Sequence, residues 1–424
     1  MSTIPTRQLL TAAQELGLPA GETKYWDVVK HDVSQVSGSM KERVAQDQEV
    51  AFLALGEYYG TKTQNLDELE RLLTTAREVT GDYAKSKAAK IIKALIDDMA
   101  QVPNSTARQI AVIERSIDWA VQSNRGFLRQ GLQVRLLGLL YDQGQYQKAV
   151  ELATGLLREL KRLDDKIMMV EVQLQESRIY HALRNLPKSR ASLTSARTSA
   201  NSFYTPTLMQ AQLDMMSGVL QSEESDYKTA FSYFYEAFEG YASLESRSTV
   251  KALKYLLLVK IMLNLSQDVE QLLQNRTVKQ YSGREIDAMI AMSRANNNRS
   301  LKEFDQVLHQ YEGELSKDAF IRSHFAALYD KLFQENLMKV IEPYSCVEVS
   351  HLGQQLGLDA QQIEGKLSQM ILDKVFSGVL DQGRGWLYVY PAPEADQTYA
   401  MGLETLKHMS TVVDTLYEKA AIIN

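Results

Sequence analysis

The residues best suited to chemistry in this chain of 424 are six histidines and a single cysteine. A zinc site or metal-assisted hydrolase needs such groups at paired spacings, H-x-E or H-E-x-x-H, so that two ligands reach one ion. His31, His181, His309, His324, His351 and His408 are scattered, with no paired spacing among them. His181 and His351 fall on helical stretches and read as packed or solvated side chains. Cys346 precedes a helix and has no reactive-thiol signature around it, so a half-buried, inert thiol is expected. Gly383-x-Gly385 lacks the third glycine and the following helix of a phosphate cradle and reads as a hairpin turn. Asp381 has no partner carboxylate at useful spacing. The sequence assigns no catalytic residue, no metal ligand and no cofactor, and an enzyme is not expected.

Composition narrows the class. A hydrophobic content of 45% with 24% charged residues is average for a globular protein and excludes disordered and collagen-like chains. Forty-seven basic against 53 acidic residues give a net charge of −6, which argues against binding nucleic acid through bulk charge. One cysteine excludes an intramolecular disulfide and a multi-thiolate zinc site, and it suits a reducing compartment. The opening MSTIPTRQLLTAAQELGL has no uninterrupted apolar stretch and does not read as a signal peptide. The most apolar run, YLLLVKIMLNL, carries Lys260 in its middle and is too short to span a bilayer. These features predict a soluble intracellular protein, too long for one compact core.

Between residues 20 and 342 there are only three prolines, at 103, 187 and 206, so helices meet few breakers. Leu66, Leu69, Leu72 and Leu73 share one helical face, as do Leu253, Leu256, Leu257, Lys260 and Ile261. Three segments then repeat: LLGLLYDQGQYQKAVELA, ESRIYHALRNLPKSRASL and SGVLQSEESDYKTAFSYF. In each a small residue (Gly138, Ser177, Gly218) precedes a bulky one (Tyr146, Leu186, Tyr227), and a second small one follows (Ala149, Ser189, Ala230). This is the pattern of a helical hairpin, with small residues where helices approach and a wedge at the start of the second helix. Weaker echoes stand at Leu66 and Leu301. The LG-x2-Y at Leu137, Gly138 and Tyr141 is tetratricopeptide-like, although the pitch is longer. The spacing predicts an all-α, right-handed solenoid of helical hairpins over about residues 1–320. The aromatic run Tyr233, Phe234, Tyr235 and Phe238 is expected to be solenoid core.

The pattern changes near residue 341. IEPYS suits a short edge strand and VEVSHLGQQLG a helix with Val347, Leu352 and Leu356 inward, ended by Gly357. Asp359 is placed to cap AQQIEGKLSQMIL, and KVFSGVLDQGRGWLYVYP reads as two strands about a tight turn. This is the outline of a winged helix over residues 321–392. From Ile341 to Tyr390 six acids face three bases, Lys366, Lys374 and Arg384, too few cations for a duplex. A protein-interaction module is expected instead. After Pro391–Ala392–Pro393, within a terminal segment 393–424, residues 396–423 read as one helix. Gly402, Leu406, Met409, Val413, Leu416, Ala420 and Ile423 form its heptad seam. That stripe either folds back on the winged helix or meets another chain. Lys85, Lys87, Lys90 and Lys93 give one earlier helix a basic side, either a solvated face or a contact surface.

These residues carry a resemblance. LDDK (163–166), YHALRNLPKSRASLTSARTSAN (180–201), YKTAFSYFYEAFEGY (227–241), LKYLLLVKIMLN (253–264), NNRSL (297–301), IEPYS (341–345) and KLSQMILDKVFSGVLDQG (366–383) are the matching stretches. They resemble PCI-domain subunits of the 26S proteasome regulatory-particle lid, over about residues 80 to 424. The COP9 signalosome paralogue is the alternative. The resemblance implies a non-catalytic scaffold of the lid, in cytoplasm and nucleus, serving ubiquitin-dependent degradation. It implies that the winged helix packs against other PCI lid subunits and that Leu406, Met409, Val413, Leu416 and Ile423 enter a shared helical bundle. It further implies that the amino-terminal solenoid reaches an ATPase and core-particle α subunits, the latter through Lys87 and Lys90. Neither nucleic acid nor membrane is an expected partner.

Overall fold

Long breaker-free stretches should fold as helices that bury one face against their neighbours in sequence, and they do. The computed structural model describes residues 5–423, except 17, 19, 32–38, 104, 282, 299, 316–317, 357–359 and 392–396. The expected end at Gly357, the cap Asp359 and the Ala392–Pro393 linker lie outside the described residues. The chain divides into two compact units, Met1–Ala252 and Leu253–Asn424.

The first unit starts with α1 (Pro5–Leu16), α2 (Glu22–Val29), α3 (Ser39–Glu57) and a π-helical turn (Tyr58–Thr63). Then come α4 (Leu66–Val79), α5 (Lys85–Ala100), α6 (Thr106–Gln122) and three hairpins. These pair α7 (Gly126–Asp142) with α8 (Tyr146–Leu163), α9 (Lys166–Ala182) with α10 (Leu186–Ala200), and α11 (Thr207–Glu223) with α12 (Tyr227–Ser243). Tyr146, Leu186 and Tyr227 each open the second helix of a hairpin, as their spacing predicts. Asn185 and Asp226 cap two of these helices, accepting from the N–H groups of Lys188 and Thr229. The hairpin turns close through left-handed residues at Gly144, Arg184 and Ser225, with positive φ at each.

The small residues are not alike in what they do. Ser177 and Ser189 exchange hydrogen bonds between hydroxyls and carbonyls of α9 and α10, at 3.0 and 2.8 Å. Gly218 is required by packing, since a Cβ there would stand 2.7 Å from the Phe234 ring. Gly138 differs from expectation: a Cβ there would meet nothing within 4 Å, so no close approach fixes it. Of the aromatic run, Phe234 and Phe238 are core, whereas Tyr233 and Tyr235 are half-buried. The Arg197 guanidinium lies over the Tyr233 ring at 4.6 Å.

α13 (Ser248–Met262) carries the chain into the second unit. Its residues from Ala252 to Met262 are buried on every side, the lysines included. Lys260 Nζ meets Asp268 at 2.7 Å. Lys254 Nζ reaches Glu285 at 3.1 Å and Asp318 at 3.4 Å, tying α13 to the N-termini of two further helices. Those belong to the series α14 (Ser266–Gln274), α15 (Arg276–Gln280), α16 (Arg284–Asn298), α17 (Leu301–Gln310), α18 (Glu312–Leu315) and α19 (Ala319–Ile341). Lys254→Met should cost about 1–3 kcal/mol, because two half-exposed carboxylates lose their shared cation and rehydrate in part. A urea midpoint equal to wild type would show that the triad contributes nothing.

The winged helix follows: β1 (Cys346–Glu348), α20 (Val349–Leu356), α21 (Ala360–Leu372), β2 (Ser377–Asp381) and β3 (Trp386–Tyr390). The strands form an antiparallel sheet in the order β1-β3-β2, with Val347 opposite Leu387 and Val379 opposite Tyr388. Two local expectations are corrected. IEPYS is no strand, because α19 runs to Ile341 and Pro343 stops it. The strand lies three residues later, where Cys346, Val347 and Glu348 alternate exposed, buried and exposed at period two. Val347 is inward as expected, but on a strand. α22 (Gln397–Ile423) is the last described element.

Candidate partner-binding site

A helix of 27 residues with an apolar stripe normally buries that stripe. In α22 every described side chain from Met401 to Ala420 is exposed, Leu406 at 63% and Val413 at 61%. The alternative in which the helix folds back on the winged helix is therefore not the arrangement seen. Leu406, Met409, Val413 and Leu416 lie along one face as the heptad predicts, and the side chain of Ile423 lies outside the described residues. Sequence reasoning missed the width of the stripe. At about 100° per residue, Leu403 lies 60° to one side of Leu406 and Val412 about 120° to the other, with Tyr399 and Tyr417 between. All four are exposed. A strict count of first and fourth heptad positions overlooks such neighbours, and a 3.6-residue period finds them. An arc of about 180° is too broad for the single seam of a two-stranded coil.

On the winged helix, Asp381 has a structural task. Its carboxylate accepts from the N–H of Gly383 at 3.0 Å and of Arg384 at 3.3 Å, and Gly385 adopts φ +68° to finish the turn. Lys366 is engaged by Asp330 at 3.0 Å. Cys346 is exposed rather than half-buried, since it sits on the outward side of β1.

The basic side of α5 is partly neutralised. Lys90 Nζ pairs with Glu49 of α3 at 2.7 Å, and Lys87 is half-buried on the same helix. Lys93 borders a 440 Å³ groove between α5, α7 and α9 that Asp97, Arg135, Asp142 and Glu171 also line. Burial pushes the Asp142 and Glu171 carboxyls above the usual range, against the pull of Arg178 and Lys93 respectively. Sequence spacing brings the lysines together, but Glu49, far off in the chain, is not readable from it.

The histidines are placed individually. His324 is buried with Nδ1 3.0 Å from the Phe320 carbonyl, and His181 Nε2 lies 3.5 Å from Glu223. Among the described residues no group of three or more His, Cys, Asp or Glu side chains could hold a metal ion. Among them too, no helix is long and apolar enough to cross a membrane.

Stacked helical hairpins leading into a winged helix, with a free amphipathic helix beyond it, define a PCI-domain protein. Residues 308–391 match the family model of the PCI domain. On either side, residues 8–143 match the N-terminal domain, and residues 395–421 the C-terminal helix domain, of 26S proteasome regulatory subunit RPN6. The chain is 49% identical over 411 residues to the 26S proteasome regulatory subunit RPN6 of Saccharomyces cerevisiae, covering 95% of this chain and 94% of that one. It is 47% identical over 384 residues to the probable 26S proteasome regulatory subunit rpn6 of Schizosaccharomyces pombe, covering 90% and 91%. With the 26S proteasome non-ATPase regulatory subunit 11 of Dictyostelium discoideum it shares 44% over 372 residues, covering 88% and 90%. The chain belongs to the RPN6 family of 26S proteasome regulatory subunits.

Proposed function

We propose that this chain is a non-catalytic scaffold subunit of the proteasome lid, acting in cytoplasm and nucleus in ubiquitin-dependent degradation. Its winged helix and α22 join it to other PCI lid subunits. Its amino-terminal solenoid reaches an ATPase and core-particle α subunits, so that the chain braces lid, ATPase ring and core together. The observation that carries this reading is α22, a helix past a finished domain with about half its circumference apolar and exposed. Leu406, Met409, Val413 and Leu416, with Ile423, would enter the shared bundle, and the breadth of the arc suits contact with more than one helix. Lys87 and Lys90 would meet acidic groups of the core particle.

The test is recovery of the tagged full chain at near-physiological salt, with mass spectrometry of what accompanies it. Lid subunits, ATPases and core α subunits are expected. Signalosome subunits, or the chain alone, would overturn the proposal. In the same preparation Lys87→Glu with Lys90→Glu should lower core-particle recovery several-fold and steepen its salt dependence, while lid recovery stays normal. Indifference of core recovery would leave these lysines as solvated surface with an internal partner at Glu49.

A further inference from the structure

Chain direction alternates along a stack of hairpins, so every turn from a second helix to the next first helix lies on one edge. α7, α9 and α11 are neighbours in that stack, and their N-termini share this edge. Phe127, Ile167 and Leu208 are each the second residue of their helix, 40 and 41 residues apart. Side chains of a first turn tilt back toward the N-terminus, which aims all three outward over the edge. All three are exposed, Phe127 at 80%. The helices that arrive at the same turns end beside Val121, Leu163 and Tyr204, also exposed, Tyr204 at 94%. Six exposed apolar or aromatic side chains thus fall on three successive turns of one edge, and clustered exposed apolar residues of this kind mark an interaction site. The opposite edge is built differently: apart from Leu183, its turns show Gln143, Gly144, Arg184, Asn185, Ser225 and Asp226.

Charge selects the occupant. In the middle turn Lys161, Arg162 and Lys166 are exposed. Asp164 is the exposed acid facing them, because Asp165 is engaged in capping α9 through the N–H of Met168. Lys85 comes to the same edge, its Nζ donating to the Asn124 carbonyl at 3.4 Å. We infer that this edge of the solenoid, from Phe127 to Leu208, is a docking surface for an amphipathic helix of another protein whose flank is acidic. The apolar residues receive its stripe and the four cations its carboxylates. The inference does not rest on the roles proposed for α22, Lys87 and Lys90.

The test places the photo-reactive residue p-benzoylphenylalanine at Phe127, at Tyr204, or at Leu406 as reference, in the full chain within its native assembly. These positions are exposed, so unchanged thermal melting should accompany each replacement. The expected result is cross-linking from both Phe127 and Tyr204 to one segment of another protein. That segment should have apolar residues three and four apart and a net negative charge. Ile167→Ser with Leu163→Ser should lower the yield at least fivefold. Cross-links to a second copy of this chain, to its own residues or to a basic segment would overturn the inference. So would no cross-link from the edge while Leu406 gives one. If Leu406 also gives none, the bundle role of α22 fails with it.

Discussion

Leu406→Asp together with Val413→Asp should leave the chain folded and abolish its recovery with lid subunits. Both side chains are already exposed in the chain alone, so no core contact is lost by replacing them. Within the helix each aspartate costs at most about 0.7 kcal/mol in propensity relative to alanine, too little to unfold the domain before it. In a bundle the balance reverses. Each carboxylate would be carried into apolar surroundings without a partner, at a cost of several kcal/mol. Since about 1.4 kcal/mol is tenfold in affinity, the pair should weaken incorporation by more than a thousandfold. Thr411→Asp with Thr415→Asp, on the polar side of the same helix, is the matched control and should incorporate normally. Co-purification of the lid at wild-type yield with the 406/413 variant would remove α22 from the interface.

Gly218→Val should be among the most damaging single substitutions in the described solenoid hairpins. A Cβ at 218 would lie 2.7 to 2.9 Å from three carbons of the Phe234 ring, and that ring is fully buried. The ring can retreat only by separating α11 from α12. Separation would also pull apart the close approach at Gly240, where a Cβ would stand 2.9 Å from that of Ala211 on the same pair of helices. Over-packing of this kind costs about 3 kcal/mol, near the upper end of its usual range. Phe234→Ala should cost a similar 3–5 kcal/mol through the cavity it leaves. Combining Gly218→Val with Phe234→Ala should then recover part of both losses, a coupling readable as non-additive denaturation midpoints. Hydrogen exchange in Gly218→Val should rise first over residues 207–243, since each hairpin is held by its nearest neighbours. Additive losses in the double variant would mean that glycine and ring are independent.

Much of this architecture was legible because a repeat prints its pattern more than once. Tyr146, Leu186 and Tyr227 located three helix starts to the residue, and the apolar periodicity of residues 66–73 located a buried face. What escaped was either short or distant. Three residues of strand at Cys346–Glu348 are too few for alternation to outweigh the helical signal that follows. The turns at Arg184 and Ser225 adopt positive φ without the glycine that would have advertised it. The partner of Lys90 at Glu49, and those of Lys254 at Glu285 and Asp318, depend on how helices stack, which local sequence does not state. The terminal helix was read correctly as a helix with a stripe, but its breadth required the full circumference to be drawn.

The left-handed turn residues also bear on how the chain is made. Because Gly144, Arg184 and Ser225 reverse the chain within a few residues, each hairpin needs little beyond its own sequence to close. Structure built from such local contacts forms early and quickly. During synthesis the first unit can therefore be laid down hairpin by hairpin behind the advancing ribosome. The winged helix cannot follow that schedule: Cys346 in β1 must wait for Tyr388 in β3 before its strand has a partner. α22 is translated last of the described helices, so the surface that α22 offers to other chains emerges after the solenoid has had time to fold.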